Sequence, residues 1–126
     1  MASTLIQAIC KDNNWRETDA GVEITLEGGR TQVVSRTLFT EGGEEHLRLA
    51  SIIGPAAKLD DQRMIAALRL NANMRYGAFA IHGQDFAVVD TFCLADADKG
   101  EVRDSLLFLA QTADRYEQIV FGTDEN

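Results

Sequence analysis

The chain has 126 residues, of which 45% are apolar and 25% are charged. This composition is typical of one globular domain with a single core. The formal net charge of −8 at pH 7 repels nucleic acid phosphates and anionic membrane surfaces, so we expect no nucleic acid and no membrane as partner. The sequence has neither a run of about 18 apolar residues nor a secretory signal at its amino terminus. These observations predict a cytoplasmic protein.

The first half of the chain predicts a short helix followed by antiparallel strands. Apolar residues between Leu5 and Cys10 recur at helical spacing and fall on one face. Glycine pairs at 28–29 and 42–43 predict hairpin turns, because they separate segments rich in β-branched and aromatic residues. The expected strands are residues 15–18, 22–26, 31–40 and 46–53.

The middle helix is predicted to begin at Asp60 or Asp61 and to end near Met74. Its apolar side chains form two stripes: Met64, Ile65, Leu68 and Ala72 in one, and Ala66, Ala67, Leu70 and Met74 in the other. A helix that is apolar on two sides is usually covered on two sides, here by its own sheet and by a second copy of the protein. The alternative, that one monomer buries both stripes, stays open.

The last part of the chain predicts a further hairpin and a long helix. Residues 78–82 and 86–94 alternate around a turn at 82–85. The helix over residues 98–120 has one narrow apolar stripe and is expected to cover one face of the sheet. The predicted fold is therefore α+β, an antiparallel sheet with helices in the order αββββαββα. We expect a single domain over residues 1–122 and a flexible tail over 123–126.

Catalytic and metal-binding chemistry is sparse in this sequence. His46 and His82 have no third ligand at a useful spacing, and Cys10 and Cys93 lie in apolar patterns that are typical of buried, reduced thiols. The glycine pairs lack the fingerprints of phosphate-binding loops, and no serine lies in a nucleophile elbow. We therefore predict a protein that is not an enzyme and uses no cofactor and no metal.

Asp90 is the strongest candidate for any other chemistry. It falls on the same face of its strand as Phe86 and Phe92, where an apolar setting would raise the pKa of a general base. A hydrogen-bonded carboxylate at a sheet edge or an interface explains it more simply. The alternative function is thus a regulatory or small-ligand-sensing domain with a pocket near Asp90.

Apolar residues near the amino terminus provide the best candidate for a binding surface. Leu5 and Ile9 lie on the first helix, and Trp15 follows it. Val22 and Ile24 lie on the predicted strand over residues 22–26. Together with the outer faces of the strands over residues 22–26 and 33–39, these five residues predict a groove for an extended peptide, held by strand addition or by side-chain pockets. The alternative is that they are ordinary core.

Four segments of the chain, together with the order of its elements, resemble a known family. They are Leu70-Asn71-Ala72-Asn73, Tyr76-Gly77-Ala78-Phe79-Ala80, Val88-Val89-Asp90-Thr91 and Ala113-Asp114-Arg115-Tyr116-Glu117. The chain is similar to the bacterial type III secretion chaperones of class I, the Tir-chaperone kind. Its carboxy-terminal half most resembles the YbjN-like branch of that fold.

The resemblance implies a small, acidic, cytoplasmic homodimer without a cofactor, from a group whose members bind extended segments of partner proteins or have no assigned role. We therefore expect a protein client or a regulatory protein as the partner. The dimer interface of the family maps onto Leu68, Met74, Phe79 and Phe86. Its partner-binding surface maps onto Leu5, Ile9, Val22 and Ile24. The chain has no recognisable patch specific for an effector, so the resemblance implies the fold more strongly than a role in secretion.

Overall fold

The computed structural model describes residues 2–122 of the chain. Within these residues, three α-helices accompany one six-stranded antiparallel sheet. The helices are α1 (Ala2–Asn13), α2 (Asp61–Asn71) and α3 (Lys99–Tyr116). The strands are β1 (Arg16–Thr18), β2 (Gly21–Thr25), β3 (Thr31–Glu41), β4 (Glu44–Pro55), β5 (Ala78–His82) and β6 (Asp85–Cys93). This order confirms the predicted α+β fold.

The strands lie side by side in the order β1-β2-β3-β4-β6-β5. Hairpins connect β1 through β4, and another hairpin connects β5 to β6. Because β4 pairs with β6, the chain leaves the sheet after β4, forms α2, and returns at the sheet edge as β5. This crossover places α2 beside the edge strand β5.

The core lies on one face of the sheet. Along β4, Leu47, Leu49, Ser51 and Ile53 alternate onto this face and are each at most 3% exposed. α3 lies against β3, β4 and β6 and buries its apolar stripe on the same face, as that single stripe predicts. Each larger apolar side chain buried in this way contributes about 1.5–3 kcal/mol to stability, offset in part by the cost of ordering it.

Several element boundaries differ from the predicted ones, most clearly those of α3, α2 and β4. α3 ends at Tyr116 and not near residue 120, and a π-helical segment follows it over Glu117–Gly122. α2 ends at Asn71 and not near Met74, and the Asn71 side chain turns towards β5. β4 continues through Pro55, which lies opposite Asp85 as the last pair of its ladder. A proline at that position interrupts no further ladder bond. The predicted tail over residues 123–126 lies outside the described residues.

Candidate protein-binding surfaces

The predicted partner-binding residues near the amino terminus lie in and around the core. Ile9, Val22 and Ile24 are each 0% exposed. They are buried because the apolar face of α1 and the inner face of β2 meet in one core cluster. A partner cannot contact these three side chains unless that core opens, so the structure corrects the expectation at these positions.

Leu5 and Trp15 remain accessible at the margin of the same cluster. Both are partly buried and pack against it. Arg103 of α3 lies over the Trp15 ring, 5.9 Å from the ring centroid, and its Nε donates to Asn13 Oδ1 at 3.0 Å. Of the five residues predicted to bind a partner, Leu5 and Trp15 are therefore the two that offer surface.

One flank of α2 is apolar and exposed. The Ile65 side chain is 48% exposed and Leu68 is 67% exposed. They are three residues apart and lie on the same side of the helix, which we call the Ile65–Leu68 flank. Ala67 faces the core instead and is 7% exposed. Adjacent exposed apolar side chains on a helix are typical of a surface that another protein covers.

The other residues assigned to a dimer interface are far less exposed than Leu68. Phe79 and Phe86 are each 5% exposed, and their rings stack with centroids 5.4 Å apart. Tyr116 of α3 meets the Phe79 ring edge-on at 5.0 Å. Met74 is partly buried against the core cluster that contains both phenylalanines. A second copy can therefore contact Leu68 directly, whereas the two phenylalanines belong to the core.

A groove runs between α2 and the carboxy-terminal part of α3, and we call it the α2–α3 groove. It contains two neighbouring cavities of about 240 and 120 Å³. Leu70, Phe79 and Tyr116 line both cavities. Sequence reasoning missed this groove, because its walls come from separate segments, residues 59–86 on one side and residues 108–120 on the other. The second apolar stripe of α2 was the available signal, since Ala66 and Leu70 belong to it.

A buried carboxylate fixes the turn between β2 and β3 to α3. Arg30 Nε donates to Asp114 Oδ1 at 3.1 Å, and Arg30 Nη2 donates to Asp114 Oδ2 at 2.7 Å. The Asp114 side chain is 11% exposed, whereas that of Arg30 is 55% exposed. The hydrogen bonds from Arg30 lower the pKa of the Asp114 carboxyl and outweigh the effect of burial. This ion pair joins the β2–β3 turn to α3, and the Asp114 carboxylate stays ionised at neutral pH.

The Asp90 carboxylate has hydrogen-bond partners within the chain. Oδ2 accepts from the Ser105 hydroxyl at 2.7 Å, and Oδ1 accepts from the Thr91 amide at 3.0 Å. Ser105 is fully buried on α3, so the bond joins β6 to the helix that covers it. Neither cavity of the α2–α3 groove is lined by Asp90. This arrangement favours the structural explanation of Asp90 over a ligand pocket.

Cys10 is buried as the sequence predicts, whereas Cys93 is only partly buried. His46 stacks on Phe39 with ring centroids 5.1 Å apart. Burial raises the pKa of the Cys10 thiol, and a hydrogen bond to the Glu44 carboxylate raises that of Cys93.

Within residues 2–122, no three His, Cys, Asp or Glu side chains are arranged to hold a metal ion. No helix in that part of the chain is long and apolar enough to cross a membrane.

Comparison with known proteins finds likeness in structure and none in sequence. No protein-family model matches the chain, and no curated protein matches it. Among solved structures, the fold is similar to that of a chain in the HopA1-SchA chaperone-effector complex, with a TM-score of 0.61. The two chains are 10% identical, and the match covers 93% of each. This likeness supports the chaperone-like fold expected from the sequence.

Proposed function

We propose that this protein is a non-enzymatic, chaperone-like, homodimeric protein of the cytoplasm that binds an extended segment of a partner protein. The observation that carries the proposal is the exposure of Ile65 and Leu68, two large apolar side chains on one side of α2, at 48% and 67%. The likeness to a chain of a chaperone-effector complex supports a protein as the partner. Membership of the YbjN-like branch and a role in type III secretion stay predictions.

In the proposed homodimer, the Ile65–Leu68 flank of one copy meets the same flank of the other. A two-fold contact of this kind is self-complementary, so one exposed patch suffices on each copy. Met74, Phe79 and Phe86 support α2 from within each chain, since they pack in the core on which α2 lies. A stable interface buries about 1,200–2,000 Å² in total, so surface next to α2 also contributes to the dimer.

The client is proposed to bind over Leu5 and Trp15. The buried side chains of Ile9, Val22 and Ile24 form a rigid base under this surface. A rigid base limits the entropy lost on binding, because α1 and β2 need not rearrange. The client chain then contacts the exposed part of α1 and the short edge strand β1.

Site-specific photo-crosslinking in the native cell tests this function. A photoreactive phenylalanine analogue replaces Leu5, and a matched control carries it at Ile81, which is 52% exposed on β5. We expect crosslinks from position 5 to one continuous segment of a partner protein, and none to that segment from position 81. The purified segment should then bind this protein in solution, with affinity lowered about tenfold or more by Leu5→Asp and unchanged by Ile81→Asp.

Two results would contradict the proposed client surface. One is crosslinking from position 5 to many unrelated proteins with no shared segment. The other is unchanged affinity of the purified segment for a folded Leu5→Asp variant, with circular dichroism used to establish that the variant is folded.

A further inference from the structure

We propose that the α2–α3 groove binds a short segment of a protein partner in which two bulky apolar side chains are flanked by acidic residues. The proposed client surface over Leu5 and Trp15 uses α1 and β1, whereas the α2–α3 groove uses α2 and α3. The inference therefore concerns a second interaction surface and does not depend on the first.

Each of the two cavities in the groove is smaller than a typical pocket for a whole small molecule. Its cavities measure about 240 and 120 Å³. Pockets for drug-sized ligands usually hold about 300–1,000 Å³, whereas a cavity of about 150 Å³ accommodates a benzene ring. Each cavity therefore takes one aliphatic or aromatic side chain, and their shared wall of Leu70, Phe79 and Tyr116 places the two side chains close together.

The charge around the groove is opposite in sign to that of the whole protein. The chain carries a net charge of −8, yet the described residues that line the two cavities include Arg63 and Arg115 and no Asp or Glu. Arg115 is exposed and forms no ion pair within residues 2–122. The nearby Asp114 carboxylate is neutralised by Arg30. Arg63 is already paired with Asp60, with Nη1 and Oδ2 3.4 Å apart. Acidic residues beside the apolar anchors of a partner would therefore complement the Arg115 guanidinium above all.

The groove lies on the opposite side of α2 from the Ile65–Leu68 flank. Successive residues of a helix are about 100° apart, so Ala66 and Leu70 point well away from Ile65 and Leu68. A homodimer formed through the flank would therefore leave the groove free. One copy that filled the groove of another with its flank would form a head-to-tail contact, which extends into open assemblies unless it closes into a ring. Two grooves facing each other would bring like charges together. These arguments favour a different protein as the occupant.

Selection of peptides on the purified full-length protein tests the proposal. Short random peptides are displayed and selected for binding, and the affinities of the selected peptides are measured by fluorescence polarisation. Leu70→Asp changes the groove, and Leu68→Asp is its matched control on the opposite flank. Arg115→Glu changes the charge at the rim, and Arg69→Glu is its control, because Arg69 is an exposed arginine of α2 that lines neither cavity.

We expect the selected peptides to share two bulky apolar residues and a net negative charge. Their affinity should fall about tenfold or more with Leu70→Asp and about threefold to tenfold with Arg115→Glu, while both controls and Leu5→Asp bind normally. A peptide with Lys in place of the critical acidic residue should recover affinity for the Arg115→Glu variant. This charge reversal keeps the test valid even if Leu70→Asp does not fold.

Several results would overturn the proposal. They are a selection that yields no peptide, selected peptides that are neutral or basic, and peptide binding that is lost with Leu68→Asp but kept with Leu70→Asp. A loss of oligomer mass in a folded Leu70→Asp variant would show that a second copy occupies the groove. Binding that requires removal of residues 123–126 would show that the end of the chain itself fills it.

Discussion

The Asp114 carboxylate combines a nearly buried position with a bidentate contact to Arg30, and its pKa is lowered accordingly. A group whose pKa is lower in the folded state adds stability above its unfolded pKa, near 3.8 for Asp, and this stability is lost as the pH falls through the folded pKa. The contribution is modest, because the exposed Arg30 side chain is screened by solvent.

We predict that Asp114→Asn lowers the free energy of unfolding by about 1 kcal/mol near neutral pH. The difference from the unchanged protein should shrink as the pH is lowered through about 4 towards the acid limit of folding. Urea unfolding at a series of pH values measures this difference in the free energy of unfolding. Asp19→Asn is the control, because Asp19 is exposed. A difference that stays constant down to the acid limit would contradict this assignment.

At the level of single residues, the sequence predicts which side chains are apolar and which share a face, but not always which face is covered. Val22 and Ile24 alternate with polar residues, which predicts one buried face on this strand. The alternation alone does not say that α1 lies over that face. For this reason the sequence is equally consistent with a partner surface at Ile9, Val22 and Ile24, although the core contains all three.

At the level of elements, the Asn71 side chain at the end of α2 fixes the helix to β5, because it forms the hydrogen bonds that a neighbouring strand would form. Asn71 Oδ1 accepts from the Phe79 amide at 2.7 Å, and Asn71 Nδ2 donates to the Phe79 carbonyl at 3.2 Å. β5 is an edge strand, so these backbone groups have no ladder partner on that side. The sequence predicts that Asp60 or Asp61 begins α2, and in the structure Asp60 caps the helix, because its Oδ1 accepts from the Arg63 amide. The sequence does not predict the end of the helix, which coincides with a contact to a distant strand.

We predict that Asn71→Ala destabilises the protein by about 1–3 kcal/mol, because two partly buried backbone groups lose their hydrogen-bond partner. Asn73→Ala is the matched control, since Asn73 is an exposed asparagine two residues further on. Urea unfolding gives the free energies, and hydrogen exchange shows whether the Phe79 amide loses protection. Equal stability of the two variants would mean that the edge of β5 is satisfied in another way.

At the level of the whole molecule, the sequence predicts the order of elements because turns and helix caps are local. Glycine pairs separate the strands, and Asp60 and Asp98 cap their helices as short-range patterns indicate. The α2–α3 groove depends on how α2, β5 and α3 meet, so it emerges only from the folded chain. The two apolar stripes of α2 predict that both sides of the helix are covered. In the structure, the stripe with Leu70 lines the α2–α3 groove, and the stripe with Leu68 forms the exposed Ile65–Leu68 flank.

If α2 is the protein-binding element proposed above, the mass of the protein in solution must depend on its exposed flank. Light scattering compares the unchanged chain with Leu68→Asp and with Leu38→Asp, whose target residue is 53% exposed on β3. We predict a dimer, with twice the mass of one chain, for the unchanged protein and for Leu38→Asp, and a folded monomer for Leu68→Asp. A monomeric unchanged protein at micromolar concentration, or a dimer that survives Leu68→Asp, would contradict the account.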